Sequence, residues 1–273
     1  KKLRRLKAIP NDLILDKLDL RKKVRAIFIG HAHLDHVGAV PYLAHRYNAE
    51  VIGTPFTIEV LKTILRDEGM RLKNNFKVLQ PNSSYTVQGK NKKYIVDFIN
   101  ITHSTPQTAM ICLHTPEGNI LYANDFKFDN SPVLGKKPNY EKLKQLSKEG
   151  IKALIVDSLY SAREQKTPSE KIARGLLEDV LLTTNNQDSC ILITTFSSHI
   201  ARLKSIVDFG KQLNRRIVFV GRSLHKYVSA AMKVKICPFT RSIQLSSYRK
   251  QVESVLRKIK RFLLGKLEKT VRI

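Results

Sequence analysis

The chain has 273 residues, of which 42% are hydrophobic; this is enough apolar material for a buried core and argues against disorder. Its 49 basic and 23 acidic side chains give a net charge of +26, an excess that attracts polyanions, nucleic acid first among them. No apolar run approaches the roughly 18 residues that cross a membrane, and no signal-peptide pattern is present. Cys112, Cys190 and Cys237 stand singly, which argues against a disulfide framework and favours a reducing cytoplasm.

The first half of the chain predicts short buried strands that alternate with helices. Residues 24–29 predict a buried strand that ends at Gly30, so a histidine-rich stretch lies on the loop that follows. Helical spacing appears at 41–47 and at 57–66. Further strands are predicted at 94–102, 109–114, 120–123 and 153–156. The composition of residues 115–119 predicts the turn of a hairpin.

Four side chains that can ligate a metal fall within six residues: His31, His33, Asp35 and His36. Positions two apart do not share a helix face, but a loop at the end of a strand lets all four converge. Imidazole and carboxylate groups are ligands that zinc, manganese and iron accept. His103 and Asp125 each lie at the end of a predicted strand. Either alone could simply cap a turn, but together with the cluster they complete two metal sites.

The second half of the chain predicts a separate α/β unit after a polar linker at 161–166. Thr167, Pro168 and Glu170 predict a helix start with a capping box. Strands at 190–195 and 217–220 are expected to alternate with helices at 199–213 and 224–233, a pattern typical of a parallel sheet. Residues 252–263 carry apolar side chains at helical spacing among basic ones, which predicts an amphipathic helix packed on its domain.

These motifs resemble the metallo-β-lactamase superfamily and, within it, the β-CASP nucleases of the archaeal ribonuclease J type. The His-x-His-x-Asp-His motif, the later His103 and the later Asp125 carry the first resemblance. The second is carried by local matches at 103–107, 114–119, 124–129, 166–170 and 194–203. The resemblance implies an α/β fold. Part of a metallo-β-lactamase αββα sandwich would span 1–160, a β-CASP domain 161–261 and a divergent basic tail 262–273.

The same resemblance implies two zinc ions and an activity. One ion would be held by the imidazoles of His31, His33 and His103. The other would be held by Asp35 and His36, and both ions would share Asp125. Such a pair of ions activates a water molecule and neutralises charge on a phosphodiester. The implied function is a 5′-to-3′ exoribonuclease, with endonuclease action, in cytoplasmic RNA processing and decay. A homodimer or a larger RNA-decay assembly is a further expected partner.

The β-CASP motifs add candidate residues. Asp157 matches the acidic first motif and His199 the second, so the resemblance implies catalytic roles for both beside Asp35. Ser197 and Ser198 come before a predicted helix, where hydroxyls and free backbone N–H groups form an anion site. We therefore expect Ser197, Ser198 and His199 to hold RNA phosphate, with Arg222 as a further contact. The alternative for the serines is a plain helix cap.

Two features of the family are not found in this sequence. Few residues precede the first strand, where the family has core strands, and no histidine follows His225 to complete the second metal site. We therefore expect apolar strand surface left uncovered and a second site one ligand short. A truncated RNA-binding remnant without turnover remains an alternative. A small-molecule hydrolase of the same fold is a third possibility, which the charge of +26 disfavours.

Overall fold

The structure is a computed structural model that describes residues 2–187, 189–240, 243 and 257. Its strands form two sheets. The parallel sheet has the order β1 (Ala26–Ile29), β2 (Glu50–Gly53), β3 (Phe76–Val78). The second sheet has the order β4 (Ser83–Gln88), β5 (Lys93–Asn100), β6 (Ala109–Thr115), β7 (Gly118–Asn124), β8 (Ile151–Val156). Its neighbours are antiparallel except for the parallel pair β7 and β8.

The α-helices of the described residues are four short and five longer ones, and two single 3-10 turns lie at Arg21–Lys23 and Ala44–Arg46. The short ones are α1 (Lys2–Arg5), α2 (Ile14–Lys17), α3 (Leu34–Val37) and α4 (Val40–Leu43). The longer ones are α5 (Pro55–Asp67), α6 (Tyr140–Glu149), α7 (Glu170–Thr183), α8 (Ile200–Gln212) and α9 (Arg222–Lys233). Within the described ranges no helix has the length and apolar character needed to span a membrane. The expected helix at 252–263 and tail at 262–273 lie outside the described residues, Arg257 excepted.

Four layers follow from the way successive strand residues point to opposite faces. Ile52 of β2 packs with Val96 and Phe98 of β5 in an apolar cluster between the two sheets. Its neighbour Val51 joins the opposite cluster, where α5, α8 and α9 cover the outer face of the parallel sheet. On the far side, Leu146 of α6 covers the outer face of the five-stranded sheet. The result is the helix–sheet–sheet–helix sandwich that the sequence predicted.

Most of the expected elements in the first half are confirmed, with ends shifted by one to a few residues. The hairpin of β6 and β7 closes through Thr115 and Gly118, whose φ of +122° suits glycine. Helix α5 begins at Pro55 rather than at residue 57, because proline fits the first turn of a helix. The sequence prediction did not include β2, β3, β4 or α6.

The predicted strands at 190–195 and 217–220 are wrong, and so is the parallel sheet that they were to form. In the described part of the chain neither segment pairs with another strand. Both line a groove of about 930 Å³ instead. Leu192 and Val218 are 76% and 39% exposed, so their apolar character indicated a burial that does not occur here. A run of β-branched and apolar residues becomes a strand only when a neighbour takes its backbone hydrogen bonds.

Exposed apolar side chains are also found along β8, which lies at the edge of the described five-stranded sheet. Leu154, Ile155 and Val156 are 58%, 53% and 47% exposed, although β8 pairs with β7 along one edge. Both faces of the strand therefore carry apolar side chains in contact with solvent.

The expected capping box at 167–170 is also wrong, because the cap of α7 is Ser169 and the helix begins at Glu170. Ser169 Oγ accepts from the backbone N–H of Lys171 at 3.2 Å and donates to Asp129 Oδ1 at 2.6 Å. Asp129 Oδ2 accepts from the backbone N–H of Glu170 at 2.8 Å. An acid 41 residues earlier in the chain thus satisfies a helix-end N–H that local residues were expected to satisfy.

Candidate metal centre

The histidine-rich loop leaves the buried end of β1. The carbonyl of Gly30 accepts from the backbone N–H of Ala109 at 3.0 Å, which ties the loop to β6. His31 follows Gly30, and His33, in extended backbone, is the residue before α3. Asp35 and His36 lie within that single helical turn. The predicted loop is therefore a loop at His31 and His33 and a helical turn at Asp35 and His36. The turn places Asp35 and His36 in a ligand group of their own.

Three imidazole nitrogens and one carboxylate converge in the first ligand group: His31, His33, His103 and Asp125. His33 Nδ1 lies 3.0 Å from His31 Nε2 and 3.1 Å from His103 Nε2. Asp125 Oδ2 lies 3.7 Å from His31 Nε2 and 3.8 Å from His103 Nε2. Ligands of a tetrahedral zinc ion, with bonds of about 2.0–2.1 Å, lie about 3.3 Å from each other, so this spacing fits such an ion.

Burial keeps these imidazoles neutral. Burial, with the nearby His36, His103 and His33, lowers the pKa of His31 to about 2. Burial and the neighbouring histidines lower the pKa of His103 to about 3, and burial lowers that of His33. Neutral imidazoles offer lone pairs, the form in which histidine ligates a metal. The donor set therefore fits a divalent cation.

The orientation of His31 is set from behind by Asn124. His31 Nδ1 and Asn124 Oδ1 are 3.0 Å apart, so Nδ1–H donates and the Nε2 lone pair faces the other ligands. Asn124 is buried at the end of β7, with its own φ at +63°, immediately before Asp125. The same strand end thus supplies one ligand and the partner that orients another.

The second ligand group is smaller and more open: Asp35, His36 and Asp125. His36 Nε2 lies 3.4 Å from Asp125 Oδ2 and 3.5 Å from Asp35 Oδ2. The side chain of Asp35 is 74% exposed, whereas that of His31 is fully buried. Asp125 belongs to both groups, so it is the residue that two bound ions would share.

The histidine-rich loop is also contacted by the C-terminal helical part, residues 170–233 with helices α7, α8 and α9. Ser198 Oγ lies 3.1 Å from His33 Nε2, and the hydroxyl of Tyr227 donates to the carbonyl of Ala32 at 3.3 Å. Both Ser198 and Tyr227 are buried. The loop between β1 and α3 is therefore enclosed by residues that follow it by 165 and 195 positions.

His199 takes part in a charge network with Glu170 and Arg202. Its Nδ1 accepts from the backbone N–H of Arg202 at 3.3 Å, and its Nε2 lies 3.3 Å from Glu170 Oε2. Arg202 donates to both oxygens of Glu170, at 2.6 and 2.9 Å. Burial alone would raise the pKa of Glu170, but hydrogen bonds from His199 and Arg202 outweigh it and hold that pKa at about 2.

A cavity of about 430 Å³ adjoins the first ligand group. Its wall includes His103 and Ser104 beside the ligands, and Glu170 and His199 from the C-terminal part. Lys127 and further residues of the loop that follows β7 complete one side of it. The cavity joins the ligand-bearing loops to the charge network of α7 and α8.

Comparison with known proteins places this geometry in a family. The model of the metallo-beta-lactamase superfamily matches residues 5–167, more than half of the chain. The chain belongs to the metallo-β-lactamase superfamily. A second model, the ribonuclease J beta-CASP domain, matches residues 188–255 of this metallo-β-lactamase chain.

Two archaeal relatives are similar over most of the chain. Ribonuclease J of Methanocaldococcus jannaschii is 41% identical over 252 residues, which are 92% of this chain and 55% of that protein. Ribonuclease J of Pyrococcus abyssi is 42% identical over 86% of this chain and 51% of that protein. The chain thus spans about half the length of the relatives it matches. A solved structure described as a protein of unknown function from Enterococcus faecalis V583 shares the fold. It has 15% identity and a TM-score of 0.53, over 77% of this chain and 48% of that one.

The structure brings some of the sequence-predicted residues together and leaves others apart. The six expected metal ligands fall into the two groups described above. Asp157 lies exposed after β8, where its Oδ1 accepts from the backbone N–H of Leu159 at 2.9 Å. Arg222 is exposed at the start of α9, and Ser197 is half-buried beside Ser198. Asp157, Ser197 and Arg222 belong to neither ligand group.

Sequence reasoning missed the residues that orient the ligands. Asn124 and Ser104 each stand next to a predicted ligand in the chain, and this adjacency was the available signal. Glu170 appeared only as part of a helix start, and Tyr227 was only one unnamed residue of the helix expected at 224–233. Their roles depend on which distant segments meet, which no local pattern encodes.

Replacing Gly30 by alanine should weaken the orientation of His31. The added methyl would lie 2.2 Å from Asn124 Nδ2 and 3.1 Å from the carbonyl oxygen of Ala109, so Asn124 would have to move. We expect a loss of about 1–3 kcal/mol of unfolding free energy and weaker metal binding. Gly175→Ala in α7 is the control, because nothing lies within 4 Å of its added methyl. Thermal melts and chelator competition would measure both; equal behaviour of the two variants would contradict the prediction.

Proposed function

We propose that this chain is a zinc-dependent RNA phosphodiesterase of the ribonuclease J type. The observation that carries the proposal is the pair of ligand groups that share Asp125, in a chain whose relatives are named ribonuclease J. The proposal includes 5′-to-3′ exonuclease action with endonuclease action beside it, in a cytoplasmic RNA-processing role. It includes a domain boundary near residue 160 and self-association or a larger assembly as further partners.

The chain's own residues supply binding and orientation. When bound, a pair of divalent cations lowers the pKa of a water molecule and neutralises negative charge on a phosphodiester. His31 and His103 present neutral nitrogens because they are buried. The charge of +26 collects RNA at long range through its phosphates. The cavity beside His103 offers a space in which part of an RNA chain could be held.

The remaining expected roles stay part of the proposal. We expect a catalytic role for Asp35, which is open to solvent and belongs to the second ligand group. Asp157 follows the strand next to the one that leads to Asp125. Ser197, Ser198 and His199 form the segment that leads into α8, and Arg222 would contact RNA farther out.

The direct test uses the purified chain loaded with zinc and a 5′-monophosphorylated RNA labelled at either end. We expect release of 5′-mononucleotides from the 5′ end and loss of activity with a chelator. A matched RNA with a 5′-hydroxyl tests the preference for the 5′ end. The proposal fails if metal-loaded chain leaves both RNAs intact while it hydrolyses a lactam or a thioester.

Binding of RNA without turnover is the second candidate, and the second ligand group favours it. Asp35, His36 and Asp125 offer three side chains, one of them 74% exposed, so an ion there would be held weakly. Retained RNA, one bound ion per chain and no cleavage would identify this function. Two bound ions together with cleavage would exclude it.

A further inference from the structure

Two serine hydroxyls lie behind His33, on the side away from the other ligands. Ser198 Oγ is 3.1 Å and Ser104 Oγ is 3.2 Å from His33 Nε2. Ser198 is 6% exposed, and it stands two residues before α8. Ser104 directly follows His103 in the chain. One serine therefore comes from the sandwich that carries the ligands, and the other from the C-terminal helical part.

The position of His33 decides which ring nitrogen can ligate a metal and which can donate a hydrogen bond. Its Nδ1 lies within 3.1 Å of His31 Nε2 and His103 Nε2, in the ligand group itself. A neutral imidazole has one lone pair and one N–H. If Nδ1 offers its lone pair to a cation, the proton must be on Nε2, and Nε2–H then donates to a hydroxyl oxygen. Metal-ligating histidines usually donate their other N–H in this way, which fixes the ring and its tautomer.

We propose that Ser198 and Ser104 are positioning residues that jointly hold His33 as a metal ligand, so that the C-terminal helical part completes the metal centre. This rests on the proposed function only in requiring a bound divalent cation. A second contact supports the coupling, since Tyr227 of α9 donates to the carbonyl of Ala32, the residue before His33. The segment before α8 and helix α9 thus both contact the same ligand-bearing loop.

The arrangement also gives Ser198 a second use. A hydroxyl whose oxygen accepts from His33 still has its own proton to donate. A phosphate oxygen near the ligand group is a suitable acceptor for that proton. The expected phosphate contact of Ser198 and its contact with His33 are therefore compatible, and one side chain can link substrate to ligand.

A double-mutant cycle in the full chain tests the proposal, with Co²⁺ as the probe. Because either hydroxyl can accept the single N–H, Ser104→Ala and Ser198→Ala should each change Co²⁺ affinity little. Together they should weaken Co²⁺ binding by about 10–100-fold, the effect typical of losing such partners. The visible absorption of the bound Co²⁺ should change in the double variant, because it reports the ligand geometry. Ser147→Ala on the exposed face of α6 is the matched control and should leave affinity and spectrum unchanged.

A second measurement does not depend on the double variant folding. In the Co²⁺ protein, the exchangeable imidazole N–H protons of ligated histidines give strongly shifted proton NMR signals. The His33 signal should shift or exchange faster with water in Ser198→Ala, in Ser104→Ala or in both, because one of these hydroxyls accepts its proton. The proposal is overturned if the folded double variant keeps wild-type affinity and spectrum, or if both single variants leave every such signal unchanged. If the wild type still cleaves RNA and binds metal, the proposed function stands although the role of the two serines is overturned. If the wild type binds no Co²⁺, the role of the serines and the proposed function are both overturned.

Discussion

Asp125→Asn should nearly abolish cleavage of RNA, because Asp125 is the one residue that both ligand groups share. Asparagine keeps the shape of the side chain but removes its charge, which is the property a bridge between two cations needs. We expect activity to fall by at least about a hundredfold, since even the outer hydrogen-bond partners of metal ligands contribute about 10–100-fold. Initial rates on 5′-monophosphorylated RNA measure the loss, and elemental analysis measures bound metal per chain.

Two comparisons make that result specific. Asp35→Asn alters only the second group, so it should lower the metal content toward one ion per chain while the first ion stays bound. Asp179→Asn removes an exposed carboxylate from α7 and should leave activity and metal content unchanged. Wild-type rates in Asp125→Asn would show that RNA is cleaved elsewhere on the molecule.

The ligand set could be predicted from the sequence because its signal is local and chemically narrow. Four ligand-capable side chains follow a buried strand within six residues, and few structures other than a metal site use such a cluster. His103 and Asp125 could be added because each was predicted to lie at the end of a strand. The strands in question, β5 and β7, were among those that the period of apolar residues marks most clearly.

The parts that could not be predicted depend on contacts between distant segments. Residues 190–195 and 217–220 have the composition of strands, yet in the described part of the chain no neighbour supplies their hydrogen bonds. The start of α7 depends on Asp129, a residue of another loop. Ser198 was assigned to RNA, and only the fold shows that it contacts His33. Secondary-structure propensity is a property of one segment, whereas these strand pairings, caps and side-chain contacts each depend on two segments.

Glu170→Gln should destabilise the protein at neutral pH by breaking the network that joins α7 to α8. Glu170 is 4% exposed and accepts from Arg202 through both oxygens, with His199 beside it. Removing one member of a buried pair costs about 3–5 kcal/mol. Because the Arg202 side chain is 33% exposed and partly screened, we expect about 2–3 kcal/mol here. Denaturant unfolding at pH 7 would measure it, with Glu178→Gln on the exposed side of α7 as the control.

The pH dependence gives the network a signature that a packing defect would lack. The hydrogen bonds of Glu170 lower its pKa from 4.5 to about 2 in the folded protein. The ionised form of Glu170 is therefore more favourable in the folded protein than in the unfolded chain. The stability that it contributes is therefore fully present above about pH 4.5 and is lost as the pH falls toward 2. The difference between wild type and Glu170→Gln should shrink over that range, while the small difference for Glu178→Gln should not follow it. A Glu170→Gln deficit that stays constant from pH 7 to pH 3 would mean that the glutamine disturbs packing and that the charge of Glu170 contributes little.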